Sequence, residues 1–393
     1  MEKVRLSKIA QISAGQAAPK EFSDFGLPFI RAGHLEELID GKKLNELPKV
    51  NDDIAKKNKL KVIPAGSILF AKSGMSATKN RIFITTENSY YVSHLAAVIP
   101  SPKYDSSYLA RFLSWYNPTN LILDNAYPSI RLEDINNLEI PLPNLATQQH
   151  IAAILDQADA IIQNNRAIVQ KYDALTQSLF LDMFGDPVRN EKGWEKRKLN
   201  DFLEVLVDVG SNGGNDWVSA NIKMKDEEDY ALMIRTVNLN KNDFENNLKY
   251  VSEETYNLFK KTKVYGGEII MNKIGSAGEF WLMPYLNRPV SLGLNQLMMT
   301  FKNLDKFYFY FYFSTNYGKR LINSKLNGAT TKSITKTALR DLDILYPPME
   351  LQNQFAERVA MIEAQKQQAQ LELAKSEELF ASLLQRAFNG ELS

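Results

Sequence analysis

The 393-residue chain contains no cysteine and only three histidines. The absence of cysteine excludes disulfides, thiolate metal sites and cysteine nucleophiles, and it fits a cytoplasmic location. The histidines, at positions 34, 94 and 150, do not have the spacing of zinc ligands. The sequence therefore predicts no metal site and excludes several classes of enzyme.

Long apolar runs are also absent. The longest extends from Phe307 to Phe313, and three of its members are tyrosines. A membrane-spanning helix needs about 20 apolar residues, so we expect no membrane partner. No apolar segment follows Met1–Arg5, so we expect no secretory signal. A composition with 44% hydrophobic and 24% charged residues is typical of a folded protein, and this length predicts two or more domains.

Motifs for cofactor chemistry are missing as well. No Gly-x-x-x-x-Gly-Lys motif occurs, and the glycine-rich stretch 210–214 lacks dinucleotide-binding spacing. Ser76 and Lys79 match a Ser-x-x-Lys pattern, but so short a match without its companion motifs is more typical of a polar loop. The sequence therefore predicts no catalytic residues and no cofactor in this chain.

What the sequence does contain is an internal duplication. The segment 62–74 contains matches to residues 265–275 at an offset of 201, and Phe29-Ile30-Arg31 matches Met233-Ile234-Arg235 at an offset of 204. The second offset continues through residues 130–155. A match of this length in nearly one register predicts two repeats of one structural plan.

Each repeat begins with short β-branched and aromatic runs separated by Gly, Pro and Asn, which predict strands of an α+β domain. The aromatic alternation from Phe307 to Phe313 alone would favour a strand. Its counterpart in the first repeat, residues 107–113, places Tyr108 and Phe112 at helical spacing. The repeat therefore predicts a helix at both places.

Each repeat ends in a long stretch without Gly or Pro, from Thr147 to Phe184 and from Met349 to Asn389. Glycines 185 and 390 predict the helix ends. Apolar residues recur at three-four spacing, which predicts a coiled coil, with Asn165 and Lys366 as polar members. The predicted coiled-coil seam contains Ile151, Leu155, Ala158, Ile162, Asn165, Val169, Tyr172, Leu179, Phe355, Val359, Ile362, Ala369, Leu373, Phe380 and Leu383.

The predicted fold class is α+β, with two mixed α/β domains separated by two long helices that form an antiparallel coiled coil with pseudo-two-fold symmetry. The predicted segments are residues 1–146, 147–186, 187–345 and 346–393. Counted over residues 1–146, 147–194, 195–345 and 346–393, the net charges are +3, −2, +3 and −3, although the whole chain carries only +1. Two basic modules held apart by acidic helices have the plan of a protein that reads two DNA half-sites.

Candidate DNA-binding residues were sought in loops, because phosphate contacts position a protein on DNA and base-edge contacts select the sequence. Two loops and one arginine recur in both repeats. The candidates are Arg31, Lys72, Ser73, Ser76, Lys79, Asn80, Arg81, Tyr127, Ser129 and Arg131 in the first repeat, and Arg235, Lys273, Ser276, Glu279, Thr330, Thr331, Lys332, Ser333, Thr335 and Lys336 in the second. The alternative is that these side chains are solvated surface charges or internal ion pairs.

Three segments also carry a family resemblance. They are Pro141-Leu142-Pro143 followed by residues 148–156, the stretch Leu179-Phe180-Leu181-Asp182-Met183-Phe184-Gly185-Asp186-Pro187, and residues 382–392 near the C-terminus. With these segments the chain resembles, over essentially its full length, the specificity subunit (HsdS) of type I restriction-modification enzymes.

The resemblance implies target recognition domains at residues 1–146 and 187–345, each of which reads one half of a bipartite double-stranded DNA target. It implies that the central and C-terminal conserved helices set the spacer and dock two DNA adenine methyltransferase (modification) subunits. Restriction/translocase subunits would join them. This chain would be a non-catalytic subunit required for site-specific adenine methylation and for restriction, with S-adenosylmethionine, Mg and ATP bound by the partners. The competing hypothesis is a coiled-coil protein–protein scaffold that does not read DNA sequence.

Overall fold

The computed structural model describes residues 2–392, which form two compact units. Of these residues, unit 1 comprises 2–167 and 370–392, and unit 2 comprises 168–369. Each unit thus contains one α+β domain together with parts of both long helices. The four-segment division made from the sequence remains a prediction, since the compact units group these segments differently.

Unit 1 begins with nine short strands and four short helices. Their bounds are β1 (Lys3–Arg5), β2 (Gln11–Ala14), β3 (Leu27–Ile30), α1 (His34–Ile39), β4 (Lys49–Val50), α2 (Asp52–Lys57), β5 (Ile68–Ala71), β6 (Phe83–Ile84), β7 (Tyr90–Tyr91), β8 (Leu95–Ile99), α3 (Ser106–Tyr116), α4 (Leu132–Asn136) and β9 (Glu139–Pro141), followed by the long helix α5 (Leu145–Phe184). The strands form sheets in the orders β2-β8-β5-β6, β4-β3-β7 and β1-β9.

The four-stranded sheet of unit 1 is buried on both faces. Phe70 and Val98 point to one face and pack with Tyr108 of α3. Leu69 and Ala97, their chain neighbours, belong to a second core shared with the smaller sheet. The near-continuous apolar run of β5 follows from this double burial, because alternate side chains of a strand enter opposite cores.

Unit 2 repeats this plan. Its elements are β10 (Glu195–Lys198), β11 (Leu203–Asp208), α6 (Asn215–Asn221), β12 (Ala231–Met233), α7 (Thr236–Lys241), β13 (Tyr250–Val251), α8 (Glu253–Leu258), β14 (Lys263–Val264), β15 (Ile269–Asn272), β16 (Phe280–Leu282), β17 (Val290–Ser291), β18 (Gln296–Phe301), α9 (Lys306–Ser314), α10 (Asn316–Asn323), α11 (Lys336–Arg340), β19 (Asp343–Tyr346) and the long helix α12 (Met349–Asn389).

The sheet orders of unit 2, β11-β18-β15-β16, β13-β12-β17-β14 and β10-β19, match those of unit 1 strand for strand, with one added strand, β14. The parallel pairing of β12 with β17 repeats that of β3 with β7. The duplication and the α+β fold class predicted from the sequence are confirmed. The helix predicted across the aromatic run 307–313 is also confirmed as α9.

The long helices pack antiparallel within each unit. In unit 1, the start of α5 packs with the end of α12 through Leu155 and Ala387, and Asn165 Nδ2 donates to Ser376 Oγ at 3.2 Å. In unit 2, Phe180 and Phe355 are in edge contact with ring centroids 5.7 Å apart. All predicted seam residues are buried or partly buried.

Both long helices end as predicted. Gly185 and Gly390 follow the last helical residues with φ of 79° and 88°, a left-handed conformation that glycine adopts without a Cβ penalty. Within residues 2–392, no helix combines the length and apolar composition needed to cross a bilayer.

Candidate DNA interface

In unit 1, the two loops predicted to contact DNA lie side by side. The first, residues 72–81, leaves the end of β5 and turns at Gly74, whose φ is 74°. Gly74 donates its backbone N–H to the carbonyl of Pro128 at 2.9 Å, and Ile130 donates to the carbonyl of Lys72 at 2.7 Å. The second loop, residues 127–131, is therefore fastened to the first by backbone hydrogen bonds.

Unit 2 builds the same junction from the equivalent residues. The chain leaves β15 and turns at Gly275, whose φ is 85°. Gly275 donates to the carbonyl of Lys332 at 3.1 Å, and Ile334 donates to the carbonyl of Lys273 at 2.9 Å. Because the backbone bonds recur in both units, Lys72 and Lys273 hold the same position. We call this arrangement, residues 72–81 with 127–131 or residues 272–279 with 330–336, the loop junction.

The two lysines differ in what their ammonium groups contact. Lys273 Nζ lies 2.6 Å from Asp208 Oδ2, and Lys336 Nζ lies 3.0 Å from Asp208 Oδ1. Lys72 has no ion-pair partner among residues 2–392. Two of the predicted DNA-binding lysines are thus internal ion-pair partners, while each keeps about a third of its side chain exposed.

Asp208 is the buried centre of this group, with its side chain only 6% exposed. Burial alone would raise the pKa of this carboxyl, but hydrogen bonds from Lys273, Lys336 and Ser211 outweigh burial and lower the pKa to about 2. Ser211 Oγ bonds to Asp208 Oδ1 at 2.9 Å and accepts from Lys336 Nζ at 3.0 Å. The carboxylate is therefore ionised at neutral pH and orders both lysines.

In the first loop of unit 1, two other candidates have internal partners. Arg81 Nη2 lies 2.6 Å from a carboxylate oxygen of Glu36 on α1. The side-chain amide of Asn80 donates to the carbonyl of Ser114 on α3 at 2.7 Å, which leaves its oxygen free to accept. These contacts hold the loop against α1 and α3, so the loop has a defined shape.

The remaining loop candidates divide by exposure. Lys79, Tyr127, Ser129, Arg131, Ser276, Glu279, Thr330, Thr331 and Lys332 are exposed, whereas Ser73, Ser76 and Ser333 are partly buried. Thr335 is exposed but caps α11, because its hydroxyl accepts from the backbone N–H of Ala338 at 3.1 Å. The exposed group supplies hydroxyls, cations and one carboxylate to the surface of the loop junctions.

The paired arginines 31 and 235 are held differently from the loop residues. The guanidinium of Arg31 lies over the ring of Phe22, 5.1 Å from its centroid. Arg235 donates to the carbonyl of Asn247, while its buried Nε has no hydrogen-bond partner among the described residues. In unit 2, Thr236, the residue after Arg235, donates to Asn272 Oδ1 of the loop junction at 2.7 Å.

Sequence reasoning missed three residues at the loop junctions. His94 Nδ1 lies 2.8 Å from Ser73 Oγ, and its carbonyl accepts from the backbone of Lys72. Asp208 and Ser211 order the lysines of unit 2. His94 immediately precedes β8, and Asn295, 201 residues later, accepts from the backbone of Lys273 in the same way, so the repeat could have found it. No match between the repeats pointed to Asp208.

Comparison with known proteins identifies the family of this chain. A family model described as the type I restriction modification DNA specificity domain matches residues 1–171 and 191–373. The putative type I restriction enzyme MjaX specificity subunit of Methanocaldococcus jannaschii is 24% identical over 388 residues, which cover 93% of this chain and 88% of that protein.

Solved structures share the fold. The S subunit of a type I restriction-modification system from M. genitalium has a TM-score of 0.57 at 14% identity, and the match covers 98% of this chain and 96% of that one. A chain from a structural study of complex assembly and conformational transition in the type I R-M system has a TM-score of 0.56 at 15% identity, covering 100% and 98%. The chain therefore shares its fold with solved type I specificity subunits.

Proposed function

Because this chain belongs to the type I restriction-modification DNA specificity family, we propose that each of its two domains reads one half of a split double-stranded DNA target. DNA recognition is the role of the family, and the partners of such a chain are DNA and the other subunits of the restriction-modification system. The proposal adds that the loop junctions are the surfaces that read the two half-sites.

The observation that carries this proposal is the loop junction itself. The same backbone bonds hold it in both units, while the side chains it presents differ: Lys79 and Arg81 in one loop, Glu279 in the other. Arginine pairs well with guanine, and a carboxylate accepts from the amino group of cytosine. Two domains that recognise different DNA sequences need loops with the same backbone structure and different side chains.

The finer assignments rest on the same family membership. We propose that the long helices set the spacer between the half-sites and dock two DNA adenine methyltransferase subunits, which restriction/translocase subunits join. S-adenosylmethionine, Mg and ATP would be bound by those partners, and this chain would be non-catalytic. The complex would act on chromosomal DNA, so we place it in the cytoplasm.

Affinity purification from the native host, combined with methylome sequencing of that strain and a deletion strain, tests the proposal. We expect an adenine methyltransferase to co-purify and one split methylated motif to disappear on deletion. No methyltransferase and an unchanged methylome would overturn the proposal in favour of a protein–protein scaffold.

A further inference from the structure

Strand pairing reveals a difference between the two domains that the sequence repeat hides. Asp208 at the end of β11 pairs with Leu297, which also pairs with Met271 of β15. In unit 1, Ala14 at the end of β2 pairs with Ala96, which also pairs with Phe70 of β5. Ala14 therefore occupies the position of Asp208, although the two are 194 residues apart rather than 201.

This difference changes how the positive charge at the loop junction is held, although its net value stays the same. In unit 2, a buried carboxylate holds two ammonium groups, so the group of three carries a net charge of +1 in a fixed arrangement. In unit 1, Lys72 contributes the same net charge as a single cation that no carboxylate orders. The position equivalent to Lys336 in the repeat is Leu132, which carries no charge.

We propose that Asp208 is a specificity-determining positioning residue, which presets Lys273 and Lys336 as a phosphate clamp for the second half-site. The inference rests on the proposed DNA-reading function. Each ammonium group has three N–H donors, so Lys273, which gives one to Asp208, keeps two for a DNA phosphate, and Lys336, which gives one to Asp208 and one to Ser211, keeps one. Because the lysines are already ordered, binding a correctly placed phosphate costs less side-chain entropy.

The carboxylate also limits binding to the wrong DNA. Sequence-independent affinity grows with the number of phosphates that a protein neutralises. Asp208 cancels one of the two lysine charges, which weakens nonspecific attraction, while the fixed geometry favours a backbone in the correct register. Asp208 therefore increases the ratio of specific to nonspecific binding at the second half-site and leaves the first half-site unaffected.

The test uses the full-length protein in complex with its methyltransferase partners, and three DNA duplexes. One duplex carries the methylated motif, and the others are altered in only the first or only the second half-site. With Asp208→Asn, we expect stronger binding to random-sequence DNA and a salt slope steeper by about 0.9. We expect discrimination at the second half-site to fall about tenfold, with discrimination at the first unchanged.

Asp216→Asn is the matched control, because it removes one exposed carboxylate of unit 2 that forms no ion pair with Lys273 or Lys336. We expect it to preserve discrimination at both half-sites. Unchanged discrimination in Asp208→Asn, or an equal fall at both half-sites, would overturn the inference. A wild-type complex with no preference at either half-site would instead overturn the proposed function, and this inference with it.

A second variant covers the case in which Asp208→Asn does not fold or assemble. Lys336→Met keeps the Asp208–Lys273 pair and removes one arm of the clamp. We expect the salt slope to become shallower by about 0.9 and binding to fall on the duplexes that retain the second half-site. An unchanged salt slope would show that Lys336 only balances the buried carboxylate, which would overturn the phosphate clamp.

Discussion

Gln148 accepts a hydrogen bond from the backbone N–H of Asp105 at 2.9 Å, and this contact ties the start of α5 to the residue that caps α3. Its Nε2 donates to the carbonyl of Pro143 at 2.9 Å. In unit 2, Gln352 makes the equivalent bonds to Asp305 and Pro347 at 2.9 and 2.8 Å. Both glutamines are essentially fully buried, so each domain is joined to its helix by a buried amide.

We predict that Gln148→Ala and Gln352→Ala each destabilise their own unit. Each substitution leaves a buried N–H and a buried carbonyl without partners, which costs about 2 kcal/mol or more. For units of this size, that corresponds to a fall of roughly 4–8 °C in Tm. Differential scanning calorimetry measures the change.

The neighbouring glutamines provide the control. Gln149 and Gln354 are exposed, so their substitution by alanine is expected to leave Tm within about 1 °C of the wild type. If the buried and exposed variants had equal Tm values, the buried amides would not be what fastens the domains to the helices.

The two domains are expected to act independently on the two half-sites. Arg81→Ala should relax the sequence preference at the first half-site only, and Glu279→Ala should relax it at the second only. A lost side chain–base contact costs about 1–3 kcal/mol of discrimination, or roughly tenfold and more. Methylation rates on duplexes altered in one half-site measure the effect.

Glu36→Gln is the informative control for Arg81, because it removes the ion pair at 2.6 Å but keeps the guanidinium. We expect it to reduce discrimination less than Arg81→Ala does. Equal losses at both half-sites in either loop variant would contradict independent reading by the two domains.

The sequence predicted the helices and the loops of the site, but not the ion pairs between side chains there. The repeat and the absence of Gly and Pro predicted both long helices, and comparison with residues 107–113 corrected the strand that the aromatic run 307–313 favoured by itself. The first loop of each junction was found because the offset of 201 passes through β5 and β15 unchanged, and the second because the offset of 204 passes through residues 130–135. Local pattern and register determine such features, and both can be read from one chain.

The ion pairs at the junction could not be read in this way. Asp208 ends an apolar run and has alanine as its counterpart, so neither composition nor the repeat distinguished it. Its two lysines follow it by 65 and 128 residues, and only strand pairing brings the three together. The same holds for Arg81 and Glu36, whose contact depends on how α1 packs against the first loop.

Acid should weaken unit 2 through Asp208. Its folded-state pKa of about 2 lies below the ordinary value of 3.8, so the stabilisation is fully present above about pH 4 and is lost as pH falls through about 2. A shift of this size corresponds to about 2 kcal/mol. We expect Asp208→Asn to lack this part of the pH dependence in urea unfolding between pH 4 and pH 2, whereas Asp216→Asn should keep it. Parallel curves for wild type and Asp208→Asn would contradict the ion-pair account.

The length of the paired helices should set the spacing of the DNA target. Asn165 bonds to Ser376 in unit 1, and Lys366 Nζ lies 2.5 Å from Asp173 in unit 2, so residues 167 and 369 separate the two sets of contacts. Inserting four helical residues after each of these two positions keeps both sets and lengthens each helix by about 6 Å.

At 3.4 Å per base pair, this insertion corresponds to about two base pairs. Methylome sequencing of a strain that carries the double insertion should therefore show the same two half-sites with a longer spacer. The control is the same four residues inserted after Lys192, in an exposed turn beyond α5, which should leave the spacer unchanged. If the double insertion gave an intact methylating complex with the original spacer, the helices would not be what measures the distance between the half-sites. Loss of the complex without any new motif would mean that the partner subunits require the original length and rotation of the helices, because four residues add about 6 Å and turn each helix about 40° past a full turn.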